Sequence, residues 1–574
     1  MRGLTACRQK ERTMDSGSRD YQRFPTLTPL QVETARRFAS AGPLSFEPGQ
    51  EIFPVGERNA PAFLVLEGQI DAFRHDGFRG DQDVAAHKAG QFSGEINQLS
   101  GRPSLSGLKG GPDGCVAIAF DAPHLRALII GSAEVGETVM RAYILRRVAY
   151  LDAGVGGSIL IGTSADPSLI RLQGFLTSNG YPHTVLDAES DEDGLVLVER
   201  LGITAVELPL MICPSGTMLR NPTVGEAATC LGITPELDPE TLYDVAIVGA
   251  GPAGLATSVY AASEGLRSIV IDQRAIGGQA GSSSRIENYL GFPTGISGAA
   301  LAGRAFSQAL KFGVEVALPL KVRELTAPEI SRARSAPISL ELEDGQSIRA
   351  KSLVIASGAR YRTPEIDGLQ RIQDTAVSYW ASALEAKLCE NSDIALIGGG
   401  NSAGQAVVFL APRVKRLHMI VRRDLSETMS SYLIERIAAL PNVEIHLGCE
   451  LVSVSRDDGP NVSGILQHKK SMQTRACDFG HLFLFAGADP NTSWTGGKID
   501  TDNNGFVLTG REFDEDVSSF LGRQSFALET SIPNIFAIGD VRAGSTKRVA
   551  AAVGEGAAVV SQIHQALKFL DVTV

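Results

Sequence analysis

The chain has no excess of positive charge: 53 Lys and Arg stand against 65 Asp and Glu, for a formal net charge of -12. That balance excludes a general nucleic-acid binder, which needs a basic face. No run of roughly twenty apolar residues is present, so no membrane span is expected. The first twenty residues, Met1 to Asp20, lack the apolar stretch of a signal peptide, which makes the cytoplasm the expected compartment, with Met14 as an alternative start. Cysteine is sparse and scattered: Cys7, Cys115, Cys213, Cys230, Cys389, Cys449 and Cys477 form no Cys-x-x-Cys pair. The nine histidines fall into no metal-ligand spacing with cysteines or carboxylates. Structural disulfides and a metal site are therefore not expected, and all seven thiols read as core or incidental.

What the sequence does contain is two glycine-rich phosphate loops. They are Gly249-Ala250-Gly251-Pro252-Ala253-Gly254 and Gly398-Gly399-Gly400-Asn401-Ser402-Ala403, each between an apolar strand-like run and a helix-like segment. The first glycine makes the tight turn, the second lets backbone approach a pyrophosphate, and the third position must be small for helix–strand packing. After the first loop, the strand Ser268 to Ile271 ends in Asp272, an acid suited to an unphosphorylated ribose. After the second, Leu417 to Val421 ends in Arg422-Arg423, two guanidinium groups suited to a 2′-phosphate. The pair predicts FAD at the first site and NADPH at the second.

Ahead of these loops the pattern differs. Residues 1–25 read as a disordered leader. A helix is expected from Thr28 to Ala41, then short strands with a hairpin at Leu66-Glu67-Gly68-Gln69-Ile70, then helices after Asp121. Residues 26–150 resemble the cyclic nucleotide-binding domain family through Pro48-Gly49-Gln50, Val55-Gly56-Glu57, Leu66-Glu67-Gly68 and Phe92-Ser93-Gly94-Glu95. The resemblance makes Gly94 and Glu95 candidate ligand residues, with a cyclic nucleotide as the candidate partner. The position of the family's phosphate-binding Arg is held by Ser104, and Arg102 is displaced by two residues. Residues 151–235 read as βαβαβ and resemble a glutaredoxin-like, thioredoxin-fold domain. Leu208-Pro209-Leu210 matches its cis-proline, but Ser164-Ala165-Asp166-Pro167 stands where its redox Cys-x-x-Cys would be. A hydroxyl cannot cycle through a disulfide, so the module reads as redox-dead by that route. A linker at 236–241 follows.

From Leu242 onward the chain resembles the low-molecular-weight thioredoxin reductase family over about 330 residues. The resemblance rests on Gly277-Gly278-Gln279-Ala280, Ile286-Glu287-Asn288-Tyr289-Leu290-Gly291-Phe292-Pro293, Ala356-Ser357-Gly358-Ala359, Ile538-Gly539-Asp540-Val541 and Arg548-Val549-Ala550. It implies FAD contacts at Gly249, Gly251, Gly254, Asp272, Gly278, Gln279, Asn288, Gly358, Gly539, Asp540, Arg548, Val549 and Ala550. It implies NADPH contacts at Gly398, Gly400, Asn401, Ser402, Ala403, Arg422 and Arg423. The expected fold is α/β with two Rossmann-like domains: an FAD domain split over 242–362 and 488–574, with an NADPH domain, 363–487, inserted. The β-barrel and thioredoxin-like domains precede it. Homodimers are the habit of the resembled family.

The family's redox Cys-x-x-Cys has no counterpart here. The matching stretch reads Ala376-Val377-Ser378-Tyr379-Trp380-Ala381-Ser382-Ala383-Leu384, and Cys389 comes later without a neighbouring partner. The family's third basic residue after the Arg pair is Glu427. No catalytic side chain is therefore assigned; the chemistry belongs to the flavin. The expected activity is hydride transfer from NADPH to FAD, then electron transfer to ferredoxin or flavodoxin, a quinone or another small acceptor. The alternatives are disulfide reduction through unconventional thiols such as Cys389, and a redox or nucleotide sensor built on the N-terminal domain.

Overall fold

A computed structural model describes residues 20–76, 80–153, 157–164, 166–329, 336–456 and 461–570. It divides into two compact units: the first runs to Thr234 with Leu310–Gly313, the second comprises Pro235–Ala309 and Val314 onward.

In the first unit, an antiparallel sheet is built around two long strands, Ala62–Asp76 and Gly107–Phe120, flanked by Gly80–Lys88, Leu44–Phe46 and Glu51–Phe53. Its core holds Phe53, Phe63, Val65, Ile70, Leu108 and Ala117. The expected hairpin at Leu66–Ile70 is absent. The chain continues as one strand whose register shifts beside Gly68. Gly68 has φ +72°, and a Cβ there would lie 2.2 Å from the Gly114 carbonyl oxygen, so glycine serves a bulge rather than a turn. The expected helix from Thr28 is shorter, Pro29–Arg36, opened by a Thr28/Gln31 capping box. Residues 1–19 of the expected leader lie outside the described residues, and Asp20–Arg23 forms a helical turn instead of disordered chain. Helices Ala122–Gly131 and Ala133–Ala153 complete this part.

A second sheet in the same unit runs His183–Asp187, Ser158–Gly162, Leu210–Ile212, Met218–Arg220. The first two strands are parallel and the rest antiparallel. Helices Pro167–Ser178, Glu192–Leu201 and Val224–Cys230 accompany it, and the Leu208–Pro209 peptide is cis. Ser164 hydrogen-bonds Asp187, and Ala165 of the expected serine-for-cysteine segment lies outside the described residues. One expectation fails here. Cys213 and Cys230 are joined in a disulfide across 17 residues. The strand pair Leu210–Ile212 and Met218–Arg220 and the helix after it carry Cys230 back to Cys213, a return that linear spacing does not reveal.

The second unit is organised by a larger mixed sheet, mostly parallel, and a smaller parallel one. The larger has the order Glu315–Ala317, Ser268–Ile271, Leu242–Val248, Ser347–Ile355, Ile338–Leu342, Val322–Thr326, and Ile535–Ala537 also pairs with Ser347–Ile355. One sheet therefore joins strands from both ends of this unit's sequence. The smaller parallel sheet runs Val377–Ser378, His481–Leu484, Asp393–Ile397, Arg416–Val421, Val443–Leu447. An antiparallel sheet, Cys449–Arg456, Val462–His468 and Thr474–Phe479, packs on one of its faces through Ile420, Leu451, Leu466 and Phe479. The chain crosses between the two sheets at Ala359–Tyr361 and again at Ala488–Pro490, and these two crossing segments pair antiparallel. Among the described residues no helix is long and apolar enough to cross a membrane.

Candidate functional site

Strand Leu242–Val248 runs into Gly249, whose φ of +116° and lack of a side chain are both required: a Cβ there would stand 2.2 Å from the Ala356 carbonyl oxygen. Gly254 lies one turn into helix Pro252–Ser263, where a Cβ would come within 1.8 Å of the Gly249 carbonyl oxygen. Gly251 is the N-cap, and around its missing Cβ only Gly278 Cα comes as near as 4.0 Å. No side chain caps that helix, so its first N–H groups are left for a ligand. The three glycines thus do three jobs: turn, approach and packing.

Asp272 faces this loop. One carboxylate oxygen accepts from Ala250 N at 2.9 Å, and the other from Arg274 N at 2.8 Å and Ala275 N at 3.3 Å. Burial raises its pKa, and these hydrogen bonds oppose the rise. Gln279 donates to the Ala359 carbonyl oxygen, tying the short helix Gly278–Gly281 to the crossing segment. Gly358 has φ +66° and open space where a Cβ would be. Asn491 and Ser357 clamp that turn with reciprocal bonds of 2.9 and 2.8 Å. Asn288 is exposed on a loop closed at its base by the Ile286–Ile296 bridge.

The C-terminal segment completes the first site. Gly539 N donates to Glu555 at 2.6 Å, and Asp540, half-buried in the turn Gly539–Val541, has its pKa raised by burial against the opposing charge of Lys547. Helix Val549–Leu567 begins at Arg548 with no side-chain cap; Arg548 and Ala550 are exposed and Val549 half-buried. Like the helix that follows Gly251, this one starts with no side-chain cap.

The second loop repeats the first on the smaller sheet. Gly398 has φ +151°, and a Cβ there would meet the Phe485 carbonyl oxygen at 2.9 Å. Gly400 caps helix Asn401–Leu410 with nothing within 4 Å of its missing Cβ. Asn401 accepts from Ser430 N at 2.8 Å, Thr428 donates to the Gly399 carbonyl at 2.8 Å, and Ala403 is buried. Arg422 and Arg423 are exposed at the strand end, 3.8 Å from Glu450 and 3.9 Å from Glu427. Glu427 therefore sets a negative charge beside one of the two guanidinium groups.

One residue that sequence reasoning missed links the loops. Tyr361, on the crossing strand, hydrogen-bonds Ser402 of the second loop, and the Asp540 charge of the first site helps burial raise its pKa. Its ring meets Phe485 edge-on at 5.2 Å. A lone aromatic in a short strand gives no signal of this role. The two sites also share an ion pair, Glu287 with Arg436. Glycine space, uncapped helix ends and polar partners fit a dinucleotide at each loop.

Apart from the Cys213–Cys230 disulfide, the cysteines among the described residues, Cys115, Cys389, Cys449 and Cys477, are free. Cys389 is fully buried, and burial followed by the Glu385 charge pushes it up to about 12. Trp380 donates to Glu385 at 2.8 Å and Tyr379 contacts Thr363 at 2.9 Å, so both aromatics are tied locally. The histidines, without metal-ligand spacing in sequence, do gather: His418, Glu444 and His446 place ligand atoms within 4.8 Å of one another.

In the first unit Glu95 is buried with one oxygen accepting from Leu105 N at 2.8 Å and the other without a partner. Burial raises its pKa; the Leu105 bond and the charges of Arg147, Arg74 and Arg146 pull it down. Arg146 holds the Gly94 carbonyl at 2.7 Å and the Phe92 carbonyl at 2.9 Å. Ser104 donates to the Ser106 carbonyl at 2.6 Å, and burial followed by the Arg147 charge lowers Arg102 to about 10.

Residues 243–556 match the family model of pyridine nucleotide-disulphide oxidoreductases. A thioredoxin reductase of Treponema pallidum is 33% identical over 334 residues, which cover 58% of this chain and 98% of that protein. An NADH dehydrogenase of Ferdinandcohnia aciditolerans is 26% identical over 492 residues, 83% of this chain and 88% of that protein. Among solved structures, thioredoxin reductase from Lactococcus lactis in its FR conformation superposes with a TM-score of 0.50 at 27% identity, covering 57% of this chain and all of that one.

Proposed function

Because the chain belongs to the pyridine nucleotide-disulphide oxidoreductase family, we propose that it oxidises NADPH at the second loop, reduces FAD at the first, and delivers the electrons to an acceptor that needs no thiol relay in this unit. The family consists of enzymes that use FAD and NAD(P)H. FAD, when bound, supplies the redox chemistry; the protein supplies position and field. Gly251 and Gly358 leave room along the flavin dinucleotide, Gly278 packs with a positive φ against Gly251, and Asp272 receives the ribose. The uncapped N-terminus at Val549 favours negative charge on the group it faces. Gly400 and the helix behind it hold the nicotinamide dinucleotide's pyrophosphate, and Arg422 with Arg423 takes a 2′-phosphate. The observation that carries the reading is the pair of uncapped glycine-loop helices, one followed by an acid and the other by two arginines.

Glu427 beside Arg423 tempers the preference for NADPH, and the relative named NADH dehydrogenase points the same way. The acceptor class we favour is a small redox protein such as ferredoxin or flavodoxin, or a quinone. Reduction through Cys389 is disfavoured by its full burial. The test is anaerobic reduction of the bound flavin by NADPH, followed by rapid mixing with ferredoxin, flavodoxin, quinones and thioredoxin. Fast reoxidation by a disulfide-free acceptor, with slow thioredoxin or DTNB turnover, supports the reading. Fast thioredoxin turnover overturns it.

The first unit supports a second, regulatory function. The unpartnered Glu95 oxygen can accept a ligand hydroxyl, and Arg74, Arg146 and Arg147 supply the positive field that Ser104 does not. A cyclic nucleotide has both groups. Calorimetric titration with cyclic AMP and cyclic GMP decides it: micromolar binding that alters the rate of flavin reduction supports a sensor, and no heat at millimolar nucleotide removes it.

A further inference from the structure

The inner face of the smaller parallel sheet is apolar where it meets the antiparallel sheet: Ala395, Ile420, Leu482 and Leu484 lie against Leu451, Leu466, Cys477 and Phe479. Three polar side chains interrupt this face at the sheet's outer edge. His418 comes from strand Arg416–Val421, and Glu444 and His446 from the neighbouring edge strand Val443–Leu447. The strands are parallel with His418 opposite Glu444 and Ile420 opposite His446. The period of two puts Glu444 and His446 on one face of their strand, and His418 shares that face with Ile420.

Both imidazoles are almost fully buried, at 5% and 8% relative exposure. Desolvation lowers both pKa values, against the opposing charge of Glu444. His418 Nδ1 lies 3.1 Å from His446 Nε2 and 3.5 Å from Glu444 Oε2, while His446 Nε2 lies 3.9 Å from the other oxygen, Glu444 Oε1. Tetrahedral coordination with metal–ligand bonds near 2.0–2.1 Å separates its donor atoms by about 3.3 Å. The two separations measured from His418 Nδ1, 3.1 and 3.5 Å, bracket that value. Two imidazoles and a carboxylate are also the donor set that borderline divalent ions select. An imidazole–imidazole hydrogen bond accounts for one of the three distances, but not for the carboxylate's approach to both rings.

We propose that His418, Glu444 and His446 form a three-ligand site for a divalent transition-metal ion, zinc in preference, pinning the two outermost strands of the sheet that carries Arg422 and Arg423. Glu444 is one-third exposed, so the fourth position opens to solvent water. Arg475 competes for the site: its guanidinium sits 3.0 Å from Glu444. It is two-thirds exposed and free to swing outward when a cation enters. Asp393 and Cys477 stand close enough to be felt electrostatically and lie outside the ligand set.

The test uses full-length, FAD-loaded protein without a polyhistidine tag, stripped with chelator and desalted. Zinc is titrated by calorimetry, and cobalt is followed by its visible absorption. One ion per chain and the intense bands of tetrahedral cobalt are expected. His446→Gln and Glu444→Gln should each weaken cobalt binding by more than about tenfold, the least that disturbance of a metal's surroundings costs. Arg475→Ala should tighten it several-fold. Flavin content confirms that each variant is folded. Should the ligand variants fail to fold, wild type and Arg475→Ala still decide the matter. The proposal is overturned if wild type takes up less than one ion per chain, if the variants bind as wild type does, or if Arg475→Ala leaves the affinity unchanged.

Discussion

Gly400→Ala separates approach from packing. Nothing lies within 4 Å of the Cβ it would add, and φ −91° with ψ 178° is ordinary for alanine. On the protein side two small effects oppose each other. Alanine at an N-cap is disfavoured relative to glycine by about 0.5–1 kcal/mol. Restricting the unfolded chain returns about 0.4–1 kcal/mol. Net stability should therefore move by less than about 0.5 kcal/mol. The added methyl stands where a pyrophosphate must meet the N–H groups of the uncapped helix. Loss of one charge-assisted hydrogen bond there costs about 1.5–3 kcal/mol, which is about ten- to a hundredfold in affinity. The expected result is an unchanged melting profile and flavin content, with KM for NADPH raised about ten- to a hundredfold. Steady-state kinetics beside thermal unfolding of the holoprotein measure both. An unchanged KM would refute the placement of the nicotinamide dinucleotide; a lowered melting temperature would refute the argument from open space.

Gly254→Ala should do the opposite. Its Cβ would come 1.8 Å from a backbone oxygen that cannot yield, so the helix must shift; overpacking of this kind costs about 1–3 kcal/mol or more, and the protein should purify with depleted flavin. Glu427→Arg removes the negative charge 3.9 Å from Arg423, and the ratio of kcat/KM for NADPH over NADH should rise severalfold; an unchanged ratio would place the 2′-phosphate elsewhere. His481, whose pKa burial lowers from 6.5 to about 4, takes up its proton more readily when unfolded. Its contribution is complete above pH 6.5 and is lost as pH falls toward about 4. Denaturation midpoints should therefore fall across that window, and His481→Gln should flatten the slope.

The glycine loops were legible because their constraints are local. A positive φ at Gly249 or a carbonyl against Gly254 acts on the residue itself, so the residue type records it. The strand-end positions of Asp272 and Arg422-Arg423 were legible because a strand end has a fixed distance from the loop before it. What stayed hidden depends on chain segments meeting. Tyr361 becomes informative only when the crossing strand sets it beside Ser402. His418 and His446 meet, 28 positions apart in sequence, because the parallel register sets His418 opposite Glu444 and so diagonally beside His446, and no motif spacing reports that register. Cys230 returns to Cys213 in the same way. Leu66-Glu67-Gly68 misled because glycine's positive φ serves a bulge as well as a hairpin turn, and only the partner strand decides between them.

The pairing of Ala359–Tyr361 with Ala488–Pro490 bears on how the larger sheet is assembled. Tyr361 lies opposite Ala488, and Arg362 grips Asp489 at 2.8 Å. The stretch between them thus enters and leaves at neighbouring points. As an unfolded loop of more than a hundred residues it would oppose the return of Ile535–Ala537 to Ser347–Ile355 by about 4 kcal/mol of closure entropy. Once folded, it presents its two ends already side by side, and most of that opposition disappears. The inserted stretch then works as a clasp: the last strand of the larger sheet finds its place most readily after a segment that contributes no strand to that sheet has folded.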